Sequence, residues 1–196
     1  LESFIYVVAL CLISLSILLQ FNLLTIILGM SSMILAFAYP FMKRITYWPQ
    51  LFLGLTFNWG IIMGWSAMTN NISTEPMLLY LSAIFWTLGY DTIYGLQDVY
   101  DDEIIGTKST AIKFKDNIKI FVSACYCLFV FFILILLFMM EISKSNLILV
   151  PLFILSLIYQ IKIFNIESPV SCLKAFKNNN LVGIFILIFI LSFSIS

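Results

Sequence analysis

The chain has 196 residues, of which 62% are hydrophobic and only 10% charged, with a mean hydropathy of +1.09 and no formal net charge. Ordinary soluble domains carry about 25% charged residues, so this much apolar surface requires lipid as its solvent, and the neutral balance argues against a nucleic-acid surface. No histidine occurs anywhere, which excludes imidazole metal sites and His-based triads.

Seven continuously apolar runs follow one another, at about 4–19, 23–38, 51–68, 77–95, 119–140, 147–164 and 181–195. Continuity rather than alternation predicts an all-α, multi-span transmembrane bundle forming one domain over 1–196, and not a β-barrel. Several runs fall short of the roughly 20 residues of a perpendicular span, a deficit that flanking residues, tilt and snorkelling can make up. The first run follows Glu2 and has neither a basic leader nor an A-x-A-like site, so it reads as a span rather than a signal peptide. Because the chain opens on Leu1 and not Met, it is expected to begin mid-protein. Gln20-Phe21-Asn22, Tyr39-Pro40, Asn70–Ser73 and Asn178–Asn180 mark helix ends, while Pro151 sits near the start of its run, where a missing amide costs little. Cys11, Cys125 and Cys127 lie in apolar runs and Cys172 in a polar connection. Cys125 and Cys127 are too close along a helix for a normal bridge, and all four read as small apolar residues.

If successive runs cross in alternate directions, the connections 39–50, 96–118 and 165–180 share one side. With their flanks they hold Lys43, Arg44, Lys108, Lys113, Lys115, Lys119, Lys162, Lys174 and Lys177, whereas the opposite side holds only Lys144. This excess predicts that the three connections are cytoplasmic, with the N-terminus inside and Ser196 outside.

The acidic residues concentrate in one of these connections, from Tyr90 to Glu103. If the helix of the fourth run continues through it, Asp91, Asp98 and Asp102 lie near one face, at offsets of seven and four. Carboxylates this close repel, and a hard cation such as Mg²⁺, held by one or two of them together with phosphate oxygens, relieves the repulsion. The plainer alternative is a solvated acidic loop. Against it, Asp91 directly follows an apolar stretch, Met77–Leu88, where a carboxylate is costly and usually functional, and Tyr94 and Gln97 break the composition of a simple charged loop. The stretch Tyr39–Gln50 lies on the same predicted side and contains Arg44, the only arginine, whose planar fork suits phosphate oxygens. Taken alone it reads as a juxtamembrane anchor with Tyr47 and Trp48 in an aromatic belt. Together with the acidic cluster it forms a plausible cation-plus-diphosphate clamp.

The pattern Asp91-x-x-Tyr94-x-x-x-Asp98, then Asp101-Asp102 and Gly106-Thr107-Lys108-Ser109-Thr110-Ala111, resembles the second aspartate-rich motif of the UbiA superfamily. The Tyr39-Pro40 to Gln50 stretch is similar to the YPxxKRxTxxPQ segment of its 4-hydroxybenzoate polyprenyltransferase branch, and the resemblance covers essentially the whole chain. It implies a nine-helix bundle around a central cavity, with a first motif, NDxxDxxxD, between helices two and three. No such motif occurs in this sequence, so the seven runs are expected to be helices three to nine and the chain a piece lacking two helices.

The implied activity is Mg²⁺-dependent transfer of a polyprenyl group from polyprenyl diphosphate to the ring of 4-hydroxybenzoate, in ubiquinone biosynthesis. By the motif match, Asp98 and Asp102 hold Mg²⁺, with Asp101 second to them, and Asp91 lies deeper, assisting metal, substrate or local structure. Arg44 and Lys108 contact diphosphate, or Arg44 the acceptor carboxylate, with Lys43 and Tyr94 in supporting places. The expected partners are the two substrates and membrane lipid, and the expected location is a bacterial inner membrane. Three alternatives stay open: a catalytically incomplete fragment, a UbiA-type enzyme with another aromatic acceptor, and a channel or transporter. The last would place ionisable residues near the bilayer midplane, whereas here they gather at one edge.

Overall fold

The computed structural model describes residues 2–140 and 149–193. Lys144, Ser196 and the ends of two apolar runs (147–148 and 194–195) lie outside the described residues. The elements are α1 (Glu2–Leu18), α2 (Leu23–Ile45), α3 (Pro49–Phe57), α4 (Gly60–Thr69), α5 (Thr74–Gly95), α6 (Val99–Ile105), α7 (Thr110–Lys113), α8 (Ile118–Met139), α9 (Leu149–Ile163), α10 (Pro169–Lys177) and α11 (Asn179–Phe193). A 3-10 turn at Lys115–Asn117 leads into α8.

Over the described residues each apolar run is largely helical, but the helices outnumber the runs. The third run is interrupted at Asn58–Trp59, and α6, α7 and α10 are short helices in the connections. The interruption has a local cause. The Asn58 side chain donates to Gly54 O at 2.8 Å, Ala83 O at 3.2 Å and Thr87 Oγ1 at 2.8 Å, and Trp59 Nε1 donates to Leu28 O at 2.9 Å. Three segments, Leu23–Ile45, Pro49–Thr69 and Lys115–Met139, are long and apolar enough to cross a membrane, and Glu2–Leu18 and Val150–Ile163 are apolar but shorter. The protein is a multi-span helical membrane protein. Its outward surface is crowded with Phe, Leu, Ile and Met, above all on α1, which buries no residue; in lipid such a surface carries no penalty.

Packing centres on α5 against α8. Ile93, Val122, Tyr126, Phe129 and Ile133 are buried between them, with Phe153 and Phe164 closing from α9 and its C-terminal end. A Cβ added at Gly89 would collide with the Tyr126 ring, so this glycine allows the two backbones their close approach.

Helix ends follow cap chemistry more than composition. Asn22 caps α2 by accepting from Thr25 N at 3.0 Å, and its amide donates to Ser66 O at 2.7 Å, tying the first turn to α4. Asn70 ends α4 in the left-handed region at φ 51°. The end expected at Tyr39-Pro40 is corrected: α2 runs through Pro40 to Ile45. Proline withholds one amide only, and Lys43 and Arg44 in the last turn complement the helix dipole. The continuous acidic helix is corrected as well. Helix α5 stops at Gly95, the amides of Leu96, Gln97 and Asp98 bond three residues back, and α6 restarts after Asp98. Gly95 is a weak helix former held against the Gln50 amide and Ala111.

The three basic connections converge at one end of the bundle. Lys108 N donates to Lys43 O at 2.8 Å, Thr110 N to Gln50 Oε1 at 3.0 Å, and the Tyr94 ring lies 4.8 Å from that of Phe176.

Candidate active site

A polar pocket of about 90 Å³ opens at this end. Helix α2 contributes Tyr39 and Lys43, α3 contributes Pro49 and Gln50, α5 contributes Asp91, Tyr94 and Gly95, and Asp98 and Asp102 come from the turn and α6. The three carboxylates expected to share a face therefore line one pocket, although the helix that carries them is broken. Asp98 occupies the N-cap position of α6, yet its side chain makes no capping bond, so its carboxylate stays available to the pocket. Asp102 is partly buried, its carbonyl accepting from Thr107 N at 3.0 Å and Thr107 Oγ1 at 3.2 Å. Asp91 is half-buried on the last turns of α5, as Asp102 is on α6, whereas Asp98 is exposed.

The basic candidates divide. Lys43 lines the pocket, whereas Arg44 is exposed and does not. Lys108 does not line it either: its Nζ donates to Ile45 O at 3.2 Å and stands 5.6 Å over the Tyr47 ring, bracing the C-terminal end of α2. Asp101 is exposed outside the lining, and Glu103 pairs with Lys115 at 2.9 Å. Tyr94 lines the pocket with its ring against Phe176. Four lining residues were given no role from sequence: Tyr39, Pro49 and Gln50, which belong to the quoted Tyr39–Gln50 motif, and Gly95. Tyr39 was within reach of spacing, being four residues before Lys43 and so on its helical face. Buried Gln50, which holds the Ser109–Ala111 turn, depends on a long-range contact that no local pattern reveals.

Among the described residues, no three acidic or thiol side chains converge closely enough to hold a metal unaided. Two carboxylates four residues apart beside a lysine do fit a hydrated Mg²⁺ that draws most of its oxygens from water and diphosphate. The cysteines stand apart from this site. All four are free; Cys125 and Cys172 are buried, Cys172 on α10, the short helix of the polar connection in which it was expected. Burial raises the Cys172 thiol above its ordinary range and keeps it protonated.

Beside the acidic pocket lies a cavity of about 630 Å³ between α3, α5, α10 and α11. Trp86, Tyr90 and Phe176 give it aromatic walls, and Tyr90 and Phe176 carry those walls towards Tyr94. Its polar rim is fixed by a chain of hydrogen bonds. Asn179 Oδ1 accepts from Trp86 Nε1 at 3.0 Å and Gln160 Nε2 at 3.2 Å, and Gln160 Oε1 accepts from Tyr126 OH at 2.6 Å. A pocket of carboxylates and a lysine thus stands beside a mainly apolar, aromatic-walled cavity, an arrangement that can hold a cation and its anionic partner next to an apolar chain.

A family model described as "UbiA prenyltransferase family" matches residues 1–191. The chain is 41% identical over 173 residues to a mitochondrial 4-hydroxybenzoate polyprenyltransferase of Aedes aegypti, covering 88% of this chain and 39% of that protein. Its likeness to the Arabidopsis thaliana protein of the same name is 53% over 113 residues, or 57% of this chain and 28% of that one. A 4-hydroxybenzoate geranyltransferase 2 of Lithospermum erythrorhizon is 40% identical over 172 residues, 87% of this chain and 56% of its own length. The chain thus spans well under two thirds of these relatives. The apo structure of a UbiA homolog from Aeropyrum pernix K1 superposes with a TM-score of 0.79 at 21% identity, over 97% of this chain and 71% of that one, which establishes the fold. The two polyprenyltransferases are mitochondrial by name, so the expected bacterial inner membrane finds no support.

Proposed function

This chain belongs to the UbiA prenyltransferase family, and from that membership we propose that it forms the later part of an aromatic prenyltransferase. The proposed reaction moves a polyprenyl group from polyprenyl diphosphate to the ring of 4-hydroxybenzoate, as a step of ubiquinone biosynthesis. The observation that carries the reading is the small pocket shared by Asp91, Asp98, Asp102 and Lys43, set against the aromatic cavity of Trp86, Tyr90 and Phe176. The relatives named for this activity support the choice of substrates.

In the proposed reaction the allylic C–O bond of the donor breaks, and the ring carbon ortho to the phenol hydroxyl forms the new C–C bond while its proton leaves. Bound Mg²⁺ supplies the positive charge that stabilises the departing diphosphate. Asp98 and Asp102 hold that ion, Asp91 orders the inner end of the pocket, and Lys43 meets the diphosphate oxygens. Lys108 keeps the end of α2 in place, and exposed Arg44 receives the acceptor carboxylate at the mouth. The walls around Trp86 and Tyr90 exclude water from the reacting carbon. The seven spans correspond to helices three to nine of the family's nine, and a first acidic motif from outside these residues completes the metal site.

The test is prenylation of 4-hydroxybenzoate in membranes carrying the gene with its natural upstream coding region. Product is expected to require Mg²⁺ and to be lost on Asp98→Asn. Normal transfer by the Asp98→Asn protein would sink the metal assignment. The absence of product with every aromatic acceptor and prenyl donor, despite stable expression, would sink the activity.

A further inference from the structure

A second cavity of about 460 Å³ lies further from the acidic end, with walls from Gly60, Gly64 and Trp65 of α4, Leu79 of α5, Leu136 of α8 and Ile190 of α11. The order along each helix is consistent. The α3–α4 span passes from Phe57 in the first cavity to Gly60 and Gly64 in the second, α5 from Tyr90 and Trp86 to Leu79 and Glu75, and α11 from Gly183 and Leu187 to Ile190. The two cavities thus follow one another along one face of α5 and together outline an apolar groove. From Asp91 to Glu75 the groove runs about 24 Å at the helical rise of 1.5 Å per residue, close to the thickness of a bilayer core.

Gly60 and Gly64 stand one helical turn apart on the wall of the far stretch. Among the described residues a Cβ built on either would meet nothing within 4 Å, in contrast to Gly29, Gly54 and Gly89. In a helix interior glycine costs about 1 kcal/mol relative to alanine, and here no neighbour requires it. What their missing side chains provide is width in the groove.

We propose that Gly60 and Gly64 gauge the length of the prenyl donor: the groove takes the isoprenoid tail of the diphosphate bound at the acidic end, and these two positions leave room for its distal units. The inference rests on the prenyl-transfer reading and adds the residues that decide which donors fit. A short donor ends near Trp86 and never reaches the glycines, whereas a long one must pass them. A side chain at Gly64 therefore acts on long donors selectively.

The experiment uses membranes carrying the full gene, with geranyl, farnesyl and solanesyl diphosphate as donors and 4-hydroxybenzoate as acceptor. Gly64→Leu is expected to lower the ratio of solanesyl to geranyl transfer by about ten-fold or more, the discrimination an apolar pocket exerts over a few carbons, and Gly64→Ala to lower it less. An unchanged ratio in both variants overturns the gauge, whether the rates hold, as when the groove seats lipid or another helix, or fall together. If Gly64→Leu does not fold, the ratio in Gly64→Ala decides. Transfer by the unsubstituted protein from no donor removes the underlying reading, and this inference with it.

Discussion

Asp98, Asp101 and Asp102 stand within five residues, yet Asp98 and Asp102 line the acidic pocket while Asp101 is exposed outside it. On a helical turn, residues four apart share a face and the one between them does not. Asp102→Asn is therefore expected to lower Mg²⁺-dependent transfer by about 10²-fold, the usual scale for removing one electrostatic group from a reacting site, with Asp101→Asn changing it little. Initial rates across a Mg²⁺ titration check this, and an equal loss in both variants would contradict the assignment. The carboxylate cluster was legible because Asp91, Asp98 and Asp102 announce themselves by charge in an apolar chain. The basic partners were less so. Lys43 and Arg44 are neighbours, and only the rotation of α2 decides that Lys43 lines the pocket; Lys108 is drawn to Ile45 O by a chain reversal that its own segment does not encode.

At the level of elements, apolar continuity located the long helices, but their ends and their breaks depended on contacts beyond the local sequence. Pro40 looked like a stop and is internal to α2, while Gly95, within an apolar run, is where α5 ends. At the end of α2, Lys108 meets Lys43 O and Ile45 O, whereas past Gly95 the amides of Leu96, Gln97 and Asp98 turn back onto carbonyls three residues before them. The α5–α8 pair gives a direct test. Gly89→Ala gains up to about 1 kcal/mol of helix propensity, but its methyl group collides with the Tyr126 ring. That ring is held by the hydrogen bond to Gln160 and cannot swing aside freely. Overpacking of this kind costs about 1–3 kcal/mol, so the net effect is destabilising. The thermal unfolding midpoint of the purified protein in detergent should fall, and a midpoint at or above that of the unsubstituted protein would mean that α5 and α8 stand further apart.

At the scale of the whole molecule, the distribution of charge and the packing of the connections agree by independent routes that the three connections share one end. Loop arithmetic assigns 39–50, 96–118 and 165–180 to one side of the membrane from their lysines and Arg44. The bundle brings the same connections together through Lys108 N to Lys43 O and Tyr94 against Phe176, while Asn22 and Ser66 meet at the other end. A site for a charged diphosphate needs that basic, water-facing edge, and a hydrocarbon tail needs the apolar length behind it, so orientation and chemistry are one constraint. Single cysteines at Asp101, Glu167 and Asn71, all exposed positions, make the orientation measurable. A membrane-impermeant maleimide applied to sealed vesicles should label Asp101→Cys and Glu167→Cys from the same side and Asn71→Cys from the opposite one. The unsubstituted protein sets the background for its native thiols. Labelling of Asn71→Cys and Asp101→Cys from one side would require α5 to re-enter the membrane instead of crossing it, and a groove running from Asp91 to Glu75 could then no longer lead from one leaflet to the other.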